Sequence, residues 1–157
     1  MPYQAKKYRY ILFSLLSSLI LFTHCVKAES NRDLINGKLA TCPDKPNCIS
    51  TESYDLPPIQ IQNTHQPWLT LQSVITGLGG TLKKSGPDHL WATFDTSLLK
   101  FTDDVEARLD QKNKLIHLRS ASRVGYYDFN TNKKRLIRII TLFSSKLNRE
   151  KIKKTID

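Results

Sequence analysis

The chain has 157 residues and a formal net charge of +10, with 24 Lys and Arg against 14 Asp and Glu. This length predicts one domain with a modest hydrophobic core. Residues 1–28 hold four basic residues and no acidic one, and residues 29–127 hold eleven of each. The remaining positive excess lies in residues 128–157, which hold nine basic and three acidic residues. A basic segment of this kind favours an anionic partner, such as lipid headgroups or another polyanion.

Residues 1–28 have the pattern of a secretory signal peptide. A positively charged start precedes the apolar run 11–22, and small residues precede a cleavage site after Ala28. The run is shorter than the roughly 20 residues that a transmembrane helix needs. We therefore expect an exported, periplasmic protein, with a lipoprotein acylated at Cys25 or an uncleaved N-terminal anchor as the alternatives. Nucleic acid is not an expected partner in that compartment.

The remainder of the chain divides into three predicted parts. A loop-rich N-terminal arm covers 29–67, a core covers 68–147, and a basic tail covers 148–157. Cleavage of the signal would leave two cysteines, Cys42 and Cys48, and export permits them to form a disulfide. We expect this bridge to be structural, because redox dithiols are usually spaced C-x-x-C.

The periodicity of the core predicts the element order α-β-β-β-β-α. Apolar residues at helical spacing begin at Trp68, and Gly79-Gly80 ends that helix. Alternating patterns then predict four strands, and a second helix follows from about Thr131 to Leu147. The predicted strands are 81–85, 89–96, 101–110 and 115–123. In the arm, Ile59-Gln60-Ile61 alternates and is a candidate short edge strand. The fold class is α+β, an antiparallel sheet of about four strands with two helices packed on one face.

A hairpin loop at 111–114 fixes the predicted register of the last two strands. Counting back from this loop pairs Glu106 with Arg119 and Arg108 with His117, and it places Asp104 opposite Ala121. These pairs predict a ladder of cross-strand ion pairs.

The stretch from the last strand into the last helix is a candidate binding site for a phosphate, carboxylate or sulfate. Basic and hydroxyl side chains are dense there, and a helix start offers free backbone N–H groups. The candidate residues are Arg119, Ser120, Ser122, Arg123, Asp128, Asn132, Lys133 and Arg135. The ion-pair ladder is the competing interpretation, and we favour it because acidic residues balance the arginines.

Three functional hypotheses follow from these features. The first is a non-catalytic domain that binds an anionic small molecule or an envelope polyanion. The second is a hydrolase that uses Ser120 or Ser122 with a histidine, although the chain has no G-x-S-x-G, P-loop or H-E-x-x-H motif. The third is a structural envelope module whose basic residues 146–154 contact a membrane. The scattered histidines predict no metal site, and no cofactor is expected.

Three motifs in this order resemble a bacterial and plastid family, Domain of Unknown Function 1499. The family pattern C-P-x-x-P-N-C matches Cys42–Cys48, and a D-D-V-E strand motif matches the residues from Asp103. The third, R-S-A-S-R-x-G-x-x-D-x-x-x-N-[RK]-x-R, matches Arg119–Arg135. Lys133 stands where the family often has Arg, and Ala107 stands where a bulky residue is common. The resemblance covers roughly residues 40–147 and implies a shared core motif, but the family has no established activity.

Overall fold

A computed structural model describes residues 32–53, 55–63, 65–95 and 101–156. The expected signal peptide, with Cys25 and the cleavage site after Ala28, lies outside the described residues. No helix in the described part of the chain is both long enough and apolar enough to cross a membrane.

Six strands of the described ranges form one antiparallel sheet, two more than the sequence predicts for the core. The strands are β1 (Cys48–Ser50), β2 (Ile59–Gln60), β3 (Thr81–Ser85), β4 (His89–Asp95), β5 (Thr102–Asp110) and β6 (Leu115–Ser122). Their order is β1-β6-β5-β4-β3, and β2 also pairs with β6. The predicted edge strand at Ile59 is therefore confirmed as β2, whereas β1 comes from the part of the arm that was expected to be loop.

The outer edge of β6 is shared by two short strands. β1 pairs with the end of β6, with Ser50 opposite Arg119, and β2 pairs with its start, with Ile59 opposite Ile116. Between them, Thr51 accepts the Leu118 N–H on its side-chain oxygen at 2.9 Å. One side chain thus replaces a ladder bond where the chain leaves the sheet.

Two helices cover one face of the sheet. They are α1 (His65–Gly77) and α2 (Thr131–Ile156). Both contribute to a single core cluster, with Leu71 from α1 and Leu136 and Phe143 from α2 packed against strand residues such as Leu118. The α+β prediction with helices on one face is confirmed.

The predicted helix stop is also observed. Gly79 has a φ of +91°, and the Gly80 N–H donates to the Ile75 carbonyl at 3.0 Å. A Cβ on Gly80 would lie 2.8 Å from side-chain atoms of Ile75 and Phe94, so a larger residue there would displace the core.

The second helix extends beyond its predicted end. α2 continues past Leu147 to Ile156, so most of the predicted basic tail is part of this helix. Apolar periodicity ends near Leu147, but Arg, Glu and Lys are good helix formers and sustain the remaining turns.

The opposite face of the sheet is buried as well. Its strands carry several charged side chains, yet Asp104 and Glu106 are 0% and 1% exposed. The segment after Arg32 supplies part of the cover, because Arg32 Nη2 reaches Asp104 Oδ2 at 2.8 Å and Leu39 is buried. The ion-pair ladder therefore lies inside the protein, although a polar strand face is usually open to solvent.

Candidate functional site

Asn132, in the first turn of α2, is the centre of a buried hydrogen-bond network on the helix-covered face. Its Oδ1 accepts from Ser120 Oγ at 2.5 Å and from Arg135 Nη1 at 2.7 Å. Its Nδ2 donates to Ser122 Oγ at 2.9 Å and to the Asn47 carbonyl at 3.0 Å. The side chain therefore joins β6, α2 and the loop before β1.

Arg135 extends this network to the neighbouring strand β5. Its Nη2 lies 2.6 Å from Asp103 Oδ2, and its guanidinium lies 4.8 Å from the centre of the Phe94 ring. A planar, permanently charged guanidinium can form the ion pair and stack on the ring at once. Arg135 is consequently engaged on several sides by the protein itself.

Asp128 caps the start of α2. Its Oδ1 accepts the Asn130 N–H at 3.0 Å, and its Oδ2 accepts the Asn132 N–H at 2.8 Å. These bonds satisfy backbone groups that a helix start leaves without partners. The acidic side chain thus occupies the position at which an external anion was expected to bind.

The Cys42–Cys48 disulfide is formed, with the two Cα atoms 5.6 Å apart. Asn47, inside its loop, donates from Nδ2 to the Gly125 carbonyl at 2.7 Å, and the Ser122 N–H donates to the Asn47 carbonyl at 3.0 Å. The first and third sequence motifs therefore meet at one place in the fold.

The other two arginines of the motif lie on the opposite face of the sheet. Arg119 Nη1 is 2.6 Å from Glu106 Oε1, and Arg123 binds Asp104 through both Nε and Nη2 at 2.9–3.2 Å. Trp91 Nε1 also donates to Asp104 at 2.8 Å. The predicted registers of Glu106 with Arg119 and of Asp104 with Ala121 are both observed.

Donors around Asp104 hold its carboxylate in the ionised form. Burial alone would raise its pKa, but hydrogen bonds from Arg123 and Trp91 and the charge of Arg32 lower the pKa below its usual value. The buried carboxylate is therefore compensated by its surroundings.

Two histidines on this polar face are held neutral. Burial, with the charge of Lys84, lowers the pKa of His89, whose Nε2 lies 4.0 Å from Glu106 Oε2. Neither ring nitrogen of His89 has a hydrogen-bond partner among the described residues. Burial, with the charge of Arg108, lowers the pKa of His117.

The sheet separates the predicted site residues into two groups. Ser120, Ser122 and Arg135 share the helix-covered face, whereas the side chains of Arg119 and Arg123 lie on the other, as strand alternation requires. The convergence of the arginines that a single ligand site would require is therefore not observed, and the ion-pair ladder that the sequence favoured is present. Each motif arginine instead binds a carboxylate of the protein.

The serine–histidine pair of the hydrolase hypothesis is not observed either. Ser120 and Ser122 bond to Asn132, and His89 and His117 lie across the sheet from them. Within the described ranges, no group of His, Cys, Asp and Glu side chains could hold a metal ion.

One predicted site residue is exposed. Lys133 borders an open cavity of about 190 Å³ beside the disulfide loop, together with Asp55, Asp128 and Asn130. Two further exposed cations, Lys134 and Arg138, line a neighbouring groove of about 360 Å³.

Sequence reasoning missed several partners in this region. The sequence motif assigns Asn47 only to the disulfide loop, and no sequence pattern singles out Arg32 or Glu52. The adjacent carboxylates Asp103 and Asp104 were the available signal, because neighbouring strand residues point to opposite faces and each therefore needs its own cation.

Comparison with known protein families identifies one family. A family model described as "protein of unknown function (DUF1499)" matches residues 38–143. The chain belongs to this family. The resemblance drawn from the three motifs is thus confirmed, and the matched region spans β1 to β6 and the first half of α2. The comparison with curated proteins found no match.

Proposed function

We propose that this member of the DUF1499 family is a non-catalytic binding module of the cell envelope that contacts phosphate-bearing anionic groups. The contact surface is the set of exposed cations at the start of α2, here called the basic collar: Lys133, Lys134 and Arg138. The proposal keeps the predicted class of partner and moves the contact from the arginines to these side chains.

One observation carries the proposal, namely the division of the cations into two classes. Arg119, Arg123 and Arg135 are bound to carboxylates. No described carboxylate lies within salt-bridge distance of the basic collar. Exposed cations that no internal carboxylate neutralises are the ones that can attract an external anion.

The site chemistry supports binding rather than turnover. The hydroxyls of Ser120 and Ser122 are bonded to Asn132, and His89 and His117 lie on the other face of the sheet. A nucleophile needs a base within hydrogen-bond reach. The expected signal peptide and the Cys42–Cys48 disulfide support placement outside the cytoplasm, in the periplasm.

A binding experiment with two charge-matched variants tests the proposal. The variant K133Q/K134Q/R138Q removes the basic collar, and R149Q/K151Q/K153Q removes three cations from the other end of α2. Binding is measured to soluble polyphosphate and to phosphatidylglycerol vesicles, which distinguish free phosphate from lipid headgroups. We expect the collar variant to lose at least tenfold in affinity and the matched variant to lose less than threefold.

The other outcomes decide against the collar. Equal losses in both variants would show that only net charge matters, and no binding by the unmodified protein would overturn the proposal. A larger loss in R149Q/K151Q/K153Q would favour a second candidate, peripheral membrane contact through 146–154. That candidate is supported by the exposed Ile152 among these cations and the exposed Ile156 just beyond them.

A further inference from the structure

The loop between β6 and α2 exposes several large apolar side chains that take no part in the hydrophobic core. Four large side chains within residues 124–130, here called the aromatic loop, are exposed: Val124 at 52%, Tyr126 at 66%, Tyr127 at 53% and Phe129 at 77%. Isolated exposed apolar residues are ordinary, but a contiguous group marks an interaction surface.

The backbone of the aromatic loop is held in a costly conformation. Phe129 and Asn130 have φ values of +56° and +61°, and Gly125 has +86°. Glycine and asparagine adopt this left-handed region readily, whereas a bulky aromatic residue does so only under constraint. Glycine or asparagine at position 129 would therefore favour folding more than phenylalanine does.

Rigid neighbours enforce this conformation. Asp128 caps the following helix, and Asn47 of the disulfide loop donates to the Gly125 carbonyl. Tyr127 and Phe129 pack edge to face, with ring centres 5.2 Å apart. The rings are therefore displayed in a fixed arrangement, which lowers the entropic cost of binding.

The basic collar adjoins the aromatic loop. Lys134 Nζ lies 3.4 Å from the Phe129 carbonyl, Lys133 borders the same cavity as Asn130, and the exposed Ile137 lies between the collar residues along α2. Aromatic rings flanked by lysines suit the boundary between the headgroups and acyl chains of an anionic bilayer.

Resting on the proposed function, we infer that the aromatic loop inserts into an anionic phospholipid bilayer while the basic collar contacts its headgroups. Tyr126, Tyr127 and Phe129 enter the interfacial layer. This inference names the source of the phosphate groups as a lipid surface and assigns apolar contacts to a loop outside the collar.

The substitution Phe129→Asn separates binding from folding. Asparagine accepts the left-handed backbone, so the unfolding midpoint should stay equal or rise, while affinity for phosphatidylglycerol vesicles should fall at least tenfold. Binding to soluble polyphosphate should stay within twofold, because the collar is intact. Leu69→Asn, at an apolar residue of α1 that is 46% exposed, is the matched control and should leave both affinities within twofold.

A spectroscopic readout places the ring in the bilayer. Trp68 and Trp91 are buried, so Phe129→Trp adds the exposed reporter. Its emission should shift to the blue on adding phosphatidylglycerol vesicles and be quenched by brominated acyl chains. Vesicle binding by Phe129→Asn equal to that of the unmodified protein, or a reporter signal that brominated chains do not quench, would overturn the inference and leave the collar proposal standing. If the unmodified protein bound neither polyphosphate nor vesicles, both would fail together.

Discussion

At the scale of single residues, Asn132 has the largest number of distinct partners in the described network. Replacing it with Ala would remove the bonds that Ser120, Arg135 and the Asn47 carbonyl make with its amide in a buried site. Because unsatisfied buried polar groups are costly, we expect Asn132→Ala to lower the free energy of unfolding by about 3 kcal/mol.

Chemical denaturation measures this loss, and Lys133→Ala serves as its control. Lys133 is the next residue of the same helical turn but is exposed, so its substitution should change stability by less than about 0.5 kcal/mol. Equal effects of the two substitutions would show that the network contributes nothing specific.

The contacts of Arg135 require the planar shape of its guanidinium as well as its charge. Its guanidinium bonds to Asp103, Asn132 and Ser120 and stacks on Phe94. A lysine keeps the charge but lacks the planar fork, so Arg135→Lys should destabilise the domain by about 2 kcal/mol.

Thermal or urea unfolding tests this expectation beside Arg138→Lys. Arg138 is exposed and has no such set of partners among the described salt bridges and hydrogen bonds. Its exchange for lysine should therefore leave the free energy of unfolding unchanged. If Arg135→Lys also left the free energy of unfolding unchanged, the geometry of the Arg135 contacts would be irrelevant to stability.

At the scale of elements, the disulfide loop anchors β1 to the sheet. Removing the bridge in C42S/C48S should lower the free energy of unfolding by about 2 kcal/mol, as loop-closure entropy gives for so small a ring. Amide hydrogen exchange should show the loss locally, with faster exchange at Ile49 and Ser50 than in β5. Uniform acceleration throughout the sheet would instead indicate that the bridge has no particular relation to β1.

The strands from β3 to β6, and the register of β5 with β6, were predictable from the sequence. The 111–114 hairpin loop fixes the counting, and Glu106 opposite Arg119 follows from it. β1 was not predictable in this way, because three residues carry almost no alternation and its partner lies far along the chain. The end of α2 was missed because a tail rich in Lys and Arg has helix propensity but no apolar period.

The candidate site was harder to predict than the strands. Alternation places Ser120 and Arg119 on opposite faces, which already argues against one ligand contacting both. The burial of Asp104 could not be predicted from the sequence. The segment near Arg32 that covers it pairs with no strand of the predicted sheet.

At the scale of the whole molecule, the two neutral histidines make stability depend on pH. The pKa of His89 and of His117 is lower in the folded protein than the ordinary value of about 6.5. Below that value the unfolded chain binds more protons than the folded one, so folding stability falls as pH falls. We expect the free energy of unfolding to be level above about pH 7 and to decline between pH 7 and 5.

Denaturation curves at several pH values test this dependence, with H89Q/H117Q as the comparison. The double variant should lose most of the slope between pH 7 and 5. A second decline below about pH 4 should persist in both proteins, since the lowered pKa of Asp104 makes its ionised form a source of stability that acid removes. An unmodified protein with level stability down to pH 5 would contradict the assignment of neutral histidines.

The loop closed by Cys42 and Cys48 has a consequence for how the chain matures. Its cysteines are six positions apart, so their disulfide can form before the rest of the chain has been synthesised. Its partners come much later, since Asn47 bonds to a carbonyl 78 residues further on. An early-oxidised ring would present a preshaped Asn47 to the last strand and last helix as they arrive. The disulfide, which can form first, would then prepare the contact between Asn47 and the Gly125 carbonyl, which can form only after the last strand has been synthesised.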